Sequence, residues 1–182
     1  GARDLKMEAV ARVLKGELPL RVHAHRADDI MTAVRVAKEF NVKIIIEHCT
    51  EGYKIAGKLA DLKIPAVIGP LLTSRAKVEM SGIDIRNACA LASAGVPFAI
   101  MTDHPEVPIQ FLALSAALAV GAGLAEEDAL KAIAINPANI LGLGDRIGSL
   151  SPGKDADIVV FNKHPFDPRA KVEYVFIDGD PV

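Results

Sequence analysis

The chain has no tryptophan, and aromatic residues make up only 4% of its 182 positions. It also lacks a Lys/Arg-rich block: 21 basic and 23 acidic residues leave a formal net charge of −2. With neither a basic stripe to meet phosphates nor a set of rings to stack on bases, a nucleic acid is not an expected partner. Its two cysteines, Cys49 and Cys89, are too few and too far apart for a disulfide framework or a C-x-x-C zinc motif. Free thiols in a reducing, cytoplasmic setting are the expectation. No apolar run is long enough for a bilayer. The longest, "IQFLALSAALAVGAGLA" at 109–125, carries two glycines and falls short of the about 20 residues a spanning helix needs. It reads as a buried helix, and a membrane is not an expected partner. Because the chain opens on Gly1 rather than Met, it offers no reading of a leader peptide.

What is present is ordinary globular material, 51% apolar and 24% charged, enough to bury a core. Short, nearly unbroken apolar runs such as "KIII" and "PAVI" fit parallel strands buried on both faces, which need not alternate. Strands are expected at 20–24, 43–48, 65–69 and 97–102, with helices near 4–15, 28–39, 51–62, 84–94, 108–121, 126–134 and 137–141. Asn41, Gly95 and Gly142 stand where helix stops belong. Beyond Gly142 the texture changes: "DIVVF" and "VEYVFI" are short β-branched runs separated by Gly, Pro and Asp, an antiparallel composition. A boundary near residue 145 divides a βα region, 1–145, from a β-rich segment, 146–182.

Chemistry concentrates at the strand ends. His23 in "LRVHAH", His48 in "KIIIEH" and Asp103 in "PFAIMTD" each close an apolar run that gives way to a stretch that reads as helix. In an open doubly wound sheet a Gly-rich phosphate loop would be expected after a strand, and none is found; "GLGDRIG" follows a helix. In a (βα)8 barrel the strand ends converge on one axial site, so potential ligands from different strands favour half of such a barrel. Other readings stand beside this one. His23 and His48 would also serve as hydrogen-bonded core histidines, Asp103 as a helix N-cap, and His25 either as a substrate contact or as loop filler past its strand end. His104 divides in the same way, and His164 reads as a surface loop residue. Arg26, Glu51, Tyr53 and Arg75 stand in loops or helix starts and read first as structural; among them Arg75 is the best candidate for a substrate carboxylate, because a guanidinium can grip one with two hydrogen bonds.

With "VHAHRADD", "IIEHCTEG", "MTDHP" and "GSLSPGKDADIVVF" in this order, the chain resembles the C-terminal half of a metal-dependent hydrolase of the amidohydrolase superfamily, near its imidazolonepropionase and prolidase branch. The resemblance runs over nearly the whole chain. It implies strands five to eight of a TIM-type barrel with their helices, followed by the C-terminal strands of a small β-sandwich. It also implies one or two divalent ions, zinc or iron, with His23, His48 and Asp103 as ligands. A metal-activated hydroxide would attack a carbonyl or amidine carbon, Asp103 would act as base and then acid, and His48 would be a ligand or would assist the oxyanion. Arg75, His25, Arg26 and His104 would face a small-molecule substrate.

The family's first-strand H-x-H and its bridging Lys are not among these residues; the H-x-H here is His23 and His25, at the fifth-strand position. The expected partner is therefore a missing N-terminal half or a second copy, with the 182 residues alone inactive. Deaminase relatives often carry H-x-x-E at this strand, whereas here Arg26 occupies the last position. That points toward amide, cyclic amide or dipeptide hydrolysis. The alternatives are a catalytically silent barrel relative acting as a scaffold or binding protein, and an unrelated α/β binding domain whose three side chains lie far apart.

Overall fold

The computed structural model describes residues 3–182. Helix α1 (Leu5–Leu14) starts at Asp4, whose carboxylate accepts the Lys6 and Met7 N–H groups. Four βα steps follow: β1 (Leu20–Ala24), α2 (Ala27–Glu39), β2 (Ile44–His48), α3 (Ala56–Asp61), β3 (Ala66–Ile68), α4 (Asn87–Ala94), β4 (Phe98–Ile100) and α5 (Leu112–Gly121). Helices α6 (Glu126–Ile133) and α7 (Ile135–Ile140) precede a second sheet of β5 (Ile158–Phe161), β6 (Val172–Ile177) and β7 (Asp180–Pro181). The helix expected over 51–62 is two pieces, a 3-10 turn at Gly52–Lys54 and then α3. Ile55, between them, has φ −131°, outside the helical range, so the first turn cannot run on into the second.

Strands β1 to β4 form one parallel sheet in sequential order with no reversal. Ala24, His48, Ile68 and Ile100 stand side by side along one row across it, so the C-terminal ends of all four strands lie level. Strand alternation divides the apolar residues between two faces. Ile44, Ile46, Ile68, Phe98 and Ile100 pack against the helices, meeting Ile30 and Val34 of α2, Leu59 of α3 and Leu91 of α4. Ile45, Val67 and Ala99 occupy the other face, where Met101 and Ile140 join them.

The expected helix stops hold. Asn41 (φ 52°), Gly95 (φ 76°) and Gly142 (φ 73°) all adopt the left-handed conformation that ends a helix. In the second sheet, β5, β6 and β7 are antiparallel, and Asp178–Gly179, both with positive φ, form the two-residue turn between β6 and β7. Phe166 packs against the main core, and His164 Nε2 lies 3.2 Å from Glu126 Oε1 at the surface. Both cysteines are free thiols. Among the described residues no helix is long and apolar enough to cross a membrane.

Candidate metal centre

Three imidazoles meet at the level end of the parallel sheet. His23, His25 and His48 each present a ring nitrogen within 4.8 Å of the others. The His23 and His48 ring centroids are 4.2 Å apart, and His25 stacks on His48 at 4.7 Å.

The backbone makes this convergence possible. Val22 and Ala24 face the helices, so His23 points to the opposite face. His48 shares its alternation with Ile44 and Ile46, which also face the helices. A regular strand end would therefore separate the two rings. Instead His48 (φ 66°) and Cys49 (φ 45°) both adopt the left-handed conformation, which lets the His48 ring leave its row and join His23. Asn87, buried at the start of α4, holds this bend by donating Nδ2–H to the Cys49 carbonyl at 3.0 Å.

Hydrogen bonds then orient the rings. His48 Nδ1 lies 2.8 Å from the Gly69 carbonyl oxygen. A carbonyl only accepts, so Nδ1 carries the proton and the neutral ring keeps its lone pair on Nε2. His25 Nδ1 is 2.7 Å from Thr50 Oγ1, which turns its Nε2 toward His23 Nε2 at 3.0 Å. Burial first, then repulsion between neighbouring imidazoles were His48 also to take a proton, lowers the pKa of both His23 and His25; Lys77 pushes the same way and Glu79 opposes it. The rings are thus held toward the neutral form, the one that ligates metals. Second partners fixing the ring nitrogens, here Gly69 and Thr50, are what metal-binding histidines ordinarily have. The donor set suits a borderline ion such as Zn²⁺ or Fe²⁺.

The remaining expected residues lie around this centre. His25, expected to face substrate or to fill a loop, stands with His23 and His48. Asp103 follows β4 with φ 55° and is exposed; it is outside the imidazole group, yet its charge acts on His23. The segment after it is a turn closed by the Glu106 N–H on the Asp103 carbonyl, and helical residues resume only at Ile109. His104 is exposed beside it. Arg26 is held by Asp28 through two hydrogen bonds of 3.0 Å. Arg75 is exposed, with Nη2 donating to the Ile83 carbonyl at 3.4 Å.

Several contributors escape a reading of the sequence. Thr50 and Gly69 give no motif. Glu79, in a 3-10 turn at Val78–Met80, brings Oε1 to 3.8 Å from His25 Nε2 across a long loop. Glu51 is structural: burial pushes its carboxyl up, but the Ala27 N–H and the Lys54 ammonium outweigh this and hold it below its usual range.

A sequence profile described as the amidohydrolase family matches residues 5–182. The chain belongs to the amidohydrolase family. Among curated proteins, this family member is 28% identical over 196 residues to the amidohydrolase tasK of Hapsidospora irregularis, a match covering 98% of this chain and 19% of that protein. It is 30% identical over 166 residues to the imidazolonepropionase of Paracidovorax citrulli, covering 87% of this chain and 37% of the other. A crystal structure of an amidohydrolase from Thermotoga maritima superposes with a TM-score of 0.97 at 52% identity, over 100% of this chain and 48% of that one. The chain thus spans less than half the length of these relatives. Its α/β fold with a parallel sheet is that of solved amidohydrolases.

Proposed function

We propose that the chain carries part of the active site of a metal-dependent hydrolase that cleaves C–N bonds in amide, cyclic amide or dipeptide-like substrates. The observation that carries this reading is the convergence of His23, His25 and His48 at the C-terminal ends of neighbouring parallel strands. The sequential strand order without reversal supports assigning β1 to β4 as strands five to eight of a (βα)8 barrel, residues 1–145, with 146–182 contributing to a β-sandwich. The 48% coverage of the Thermotoga maritima chain supports a further set of strands that completes both barrel and site.

His23, His25 and His48 would hold the ion through neutral nitrogens, with Asp103 at their edge. A divalent ion held by these residues would supply Lewis acidity, the chemistry that makes water acidic enough to ionise at about neutral pH. Asp103, exposed and within electrostatic reach of His23, takes the proton from the attacking water and delivers it to the leaving nitrogen. Gly69 and Thr50 keep the imidazoles from rotating away. Arg75 would offer its guanidinium to a substrate carboxylate, and Arg26 and His104 are the further candidates for substrate contact.

The test is hydrolysis by the full-length protein of a panel of N-acyl amides, cyclic amides and dipeptides, before and after dialysis against a chelator. Activity lost on chelation and restored by Zn²⁺ or Fe²⁺ is the expected result. Hydrolysis unchanged by exhaustive metal removal overturns the proposal.

A further inference from the structure

Helix α2 begins without a cap of its own. Arg26 stands at its N-cap position and makes no capping hydrogen bond, its guanidinium being taken up by Asp28. The acceptor comes instead from the next βα unit: Glu51 Oε2 accepts the Ala27 N–H at 3.0 Å, which puts a carboxylate where the helix dipole favours one. Glu51 also donates its own N–H to the His25 carbonyl at 2.8 Å. The two peptide groups on either side of Arg26 are therefore held by one residue, and with them the turn that carries His25 out of β1.

The carboxylate is enclosed on its other sides. Glu51 is buried, and Lys54 Nζ donates to its Oε1 at 2.6 Å. Gly82, in the loop after β3, lies so close that a Cβ there would collide with the same oxygen. A single side chain thus touches three successive βα units. Its chain neighbour Thr50 bonds the His25 ring at Nδ1, so the backbone and the ring of His25 are both set from the 50–51 dipeptide.

We propose that Glu51 is a positioning residue of the imidazole cluster. By capping α2 from the neighbouring unit it fixes where His25 stands, and through Gly82 it seats the loop after β3 against the same turn. The metal-site reading above enters only in the consequence, that loosening Glu51 weakens the ion; the placement of His25 is tested apart from it.

The experiment uses the full-length protein isotopically labelled at histidine. Ring nitrogen and proton resonances are recorded on the metal-free form, with the His25 signals assigned through His25→Gln, and Zn²⁺ affinity is titrated against a chromophoric chelator. The variants are Glu51→Ala, Glu51→Gln, Gly82→Ala, the Glu51→Ala/Gly82→Ala double variant and His48→Ala. Glu51→Ala is expected to shift the His25 signals, to leave those of surface His164 in place, and to weaken Zn²⁺ by about 10- to 100-fold, the scale on which partners behind the ligands act. Glu51→Gln keeps an acceptor for the Ala27 N–H and recovers part of the loss. Gly82→Ala, whose methyl presses on the carboxylate, reproduces part of the defect in the wild-type background and adds nothing to Glu51→Ala. If Glu51→Ala melts lower yet keeps the His25 signals and binds Zn²⁺ within about twofold of wild type, Glu51 only holds the fold and the proposal is overturned. Should Glu51→Ala fail to fold, Gly82→Ala decides, and unchanged His25 signals there overturn it equally. If His48→Ala binds Zn²⁺ normally while Glu51→Ala still shifts the His25 signals, the metal-site reading falls and the positioning role of Glu51 stands.

Discussion

Thr50 and Cys49 show how much of the site depends on single atoms beside the imidazoles. Thr50 Oγ1 is the partner of His25 Nδ1, so Thr50→Val keeps the shape and removes the hydroxyl. Metal affinity is expected to fall by about 10- to 100-fold with the thermal midpoint little changed. Equilibrium dialysis beside a melting curve checks both parts. Cys49 is fully buried, and burial pushes its thiol up to about 12 from an ordinary 9.0. Above pH 9 an unfolded chain releases this proton while the folded one keeps it. Stability from Cys49 is therefore intact below 9 and lost as pH rises toward 12, by up to about 1.4 kcal/mol per unit. Urea unfolding of wild type and Cys49→Ala at pH 8 and pH 10 reads the difference: wild type loses more than the variant on going to the higher pH. An equal loss in both proteins contradicts the assignment.

Individual strands and turns decide where these residues stand, and here sequence and structure part company in instructive ways. Buried parallel strands announce themselves as apolar runs, so the ends at His23 and His48 were legible, as were the helix stops at Asn41, Gly95 and Gly142. His25 was not, because the direction of a side chain past a strand end is set by the loop, here by Thr50 from the next βα unit. Nor could alternation have foreseen that His48 leaves its row, since nothing local requires a left-handed His–Cys pair. Asn87, 38 residues on, helps to hold it. Asn87→Ala strips the donor from the Cys49 carbonyl, a loss of about 1–3 kcal/mol. The cost should fall toward the lower end, because Asn87 Oδ1 has no partner and its removal relieves a second unsatisfied group. Gly69→Ala is more severe. At φ 139° a side chain is strained by about 1–3 kcal/mol, and a Cβ there would run into the Met101 carbonyl. Because Gly69 also orients His48, the variant should lose both stability and metal, measured by denaturant titration and metal analysis.

Across the whole molecule the parallel sheet is open at β1 and β4, and α1 buries no side chain while exposing Leu5, Met7, Val10 and Leu14. Open strand edges beside an apolar helix face favour association. The 182-residue chain purified by itself is expected to sediment as more than a 19.3 kDa monomer; a clean monomer at micromolar concentration contradicts this. The same openness explains what sequence reasoning could reach. It found ligand types at strand ends, while Glu79, carried over the site by a long loop without a motif, became visible only in three dimensions.

The central claim is that His23, His25 and His48 share one divalent ion, and X-ray absorption at the zinc edge of the full-length protein addresses it most directly. The expected result is a shell of nitrogen and oxygen donors at about 2.0–2.2 Å, with the multiple-scattering signature of several imidazoles, diminished in His48→Ala. A sulfur-dominated shell, or an imidazole signature unchanged in His48→Ala, would contradict it.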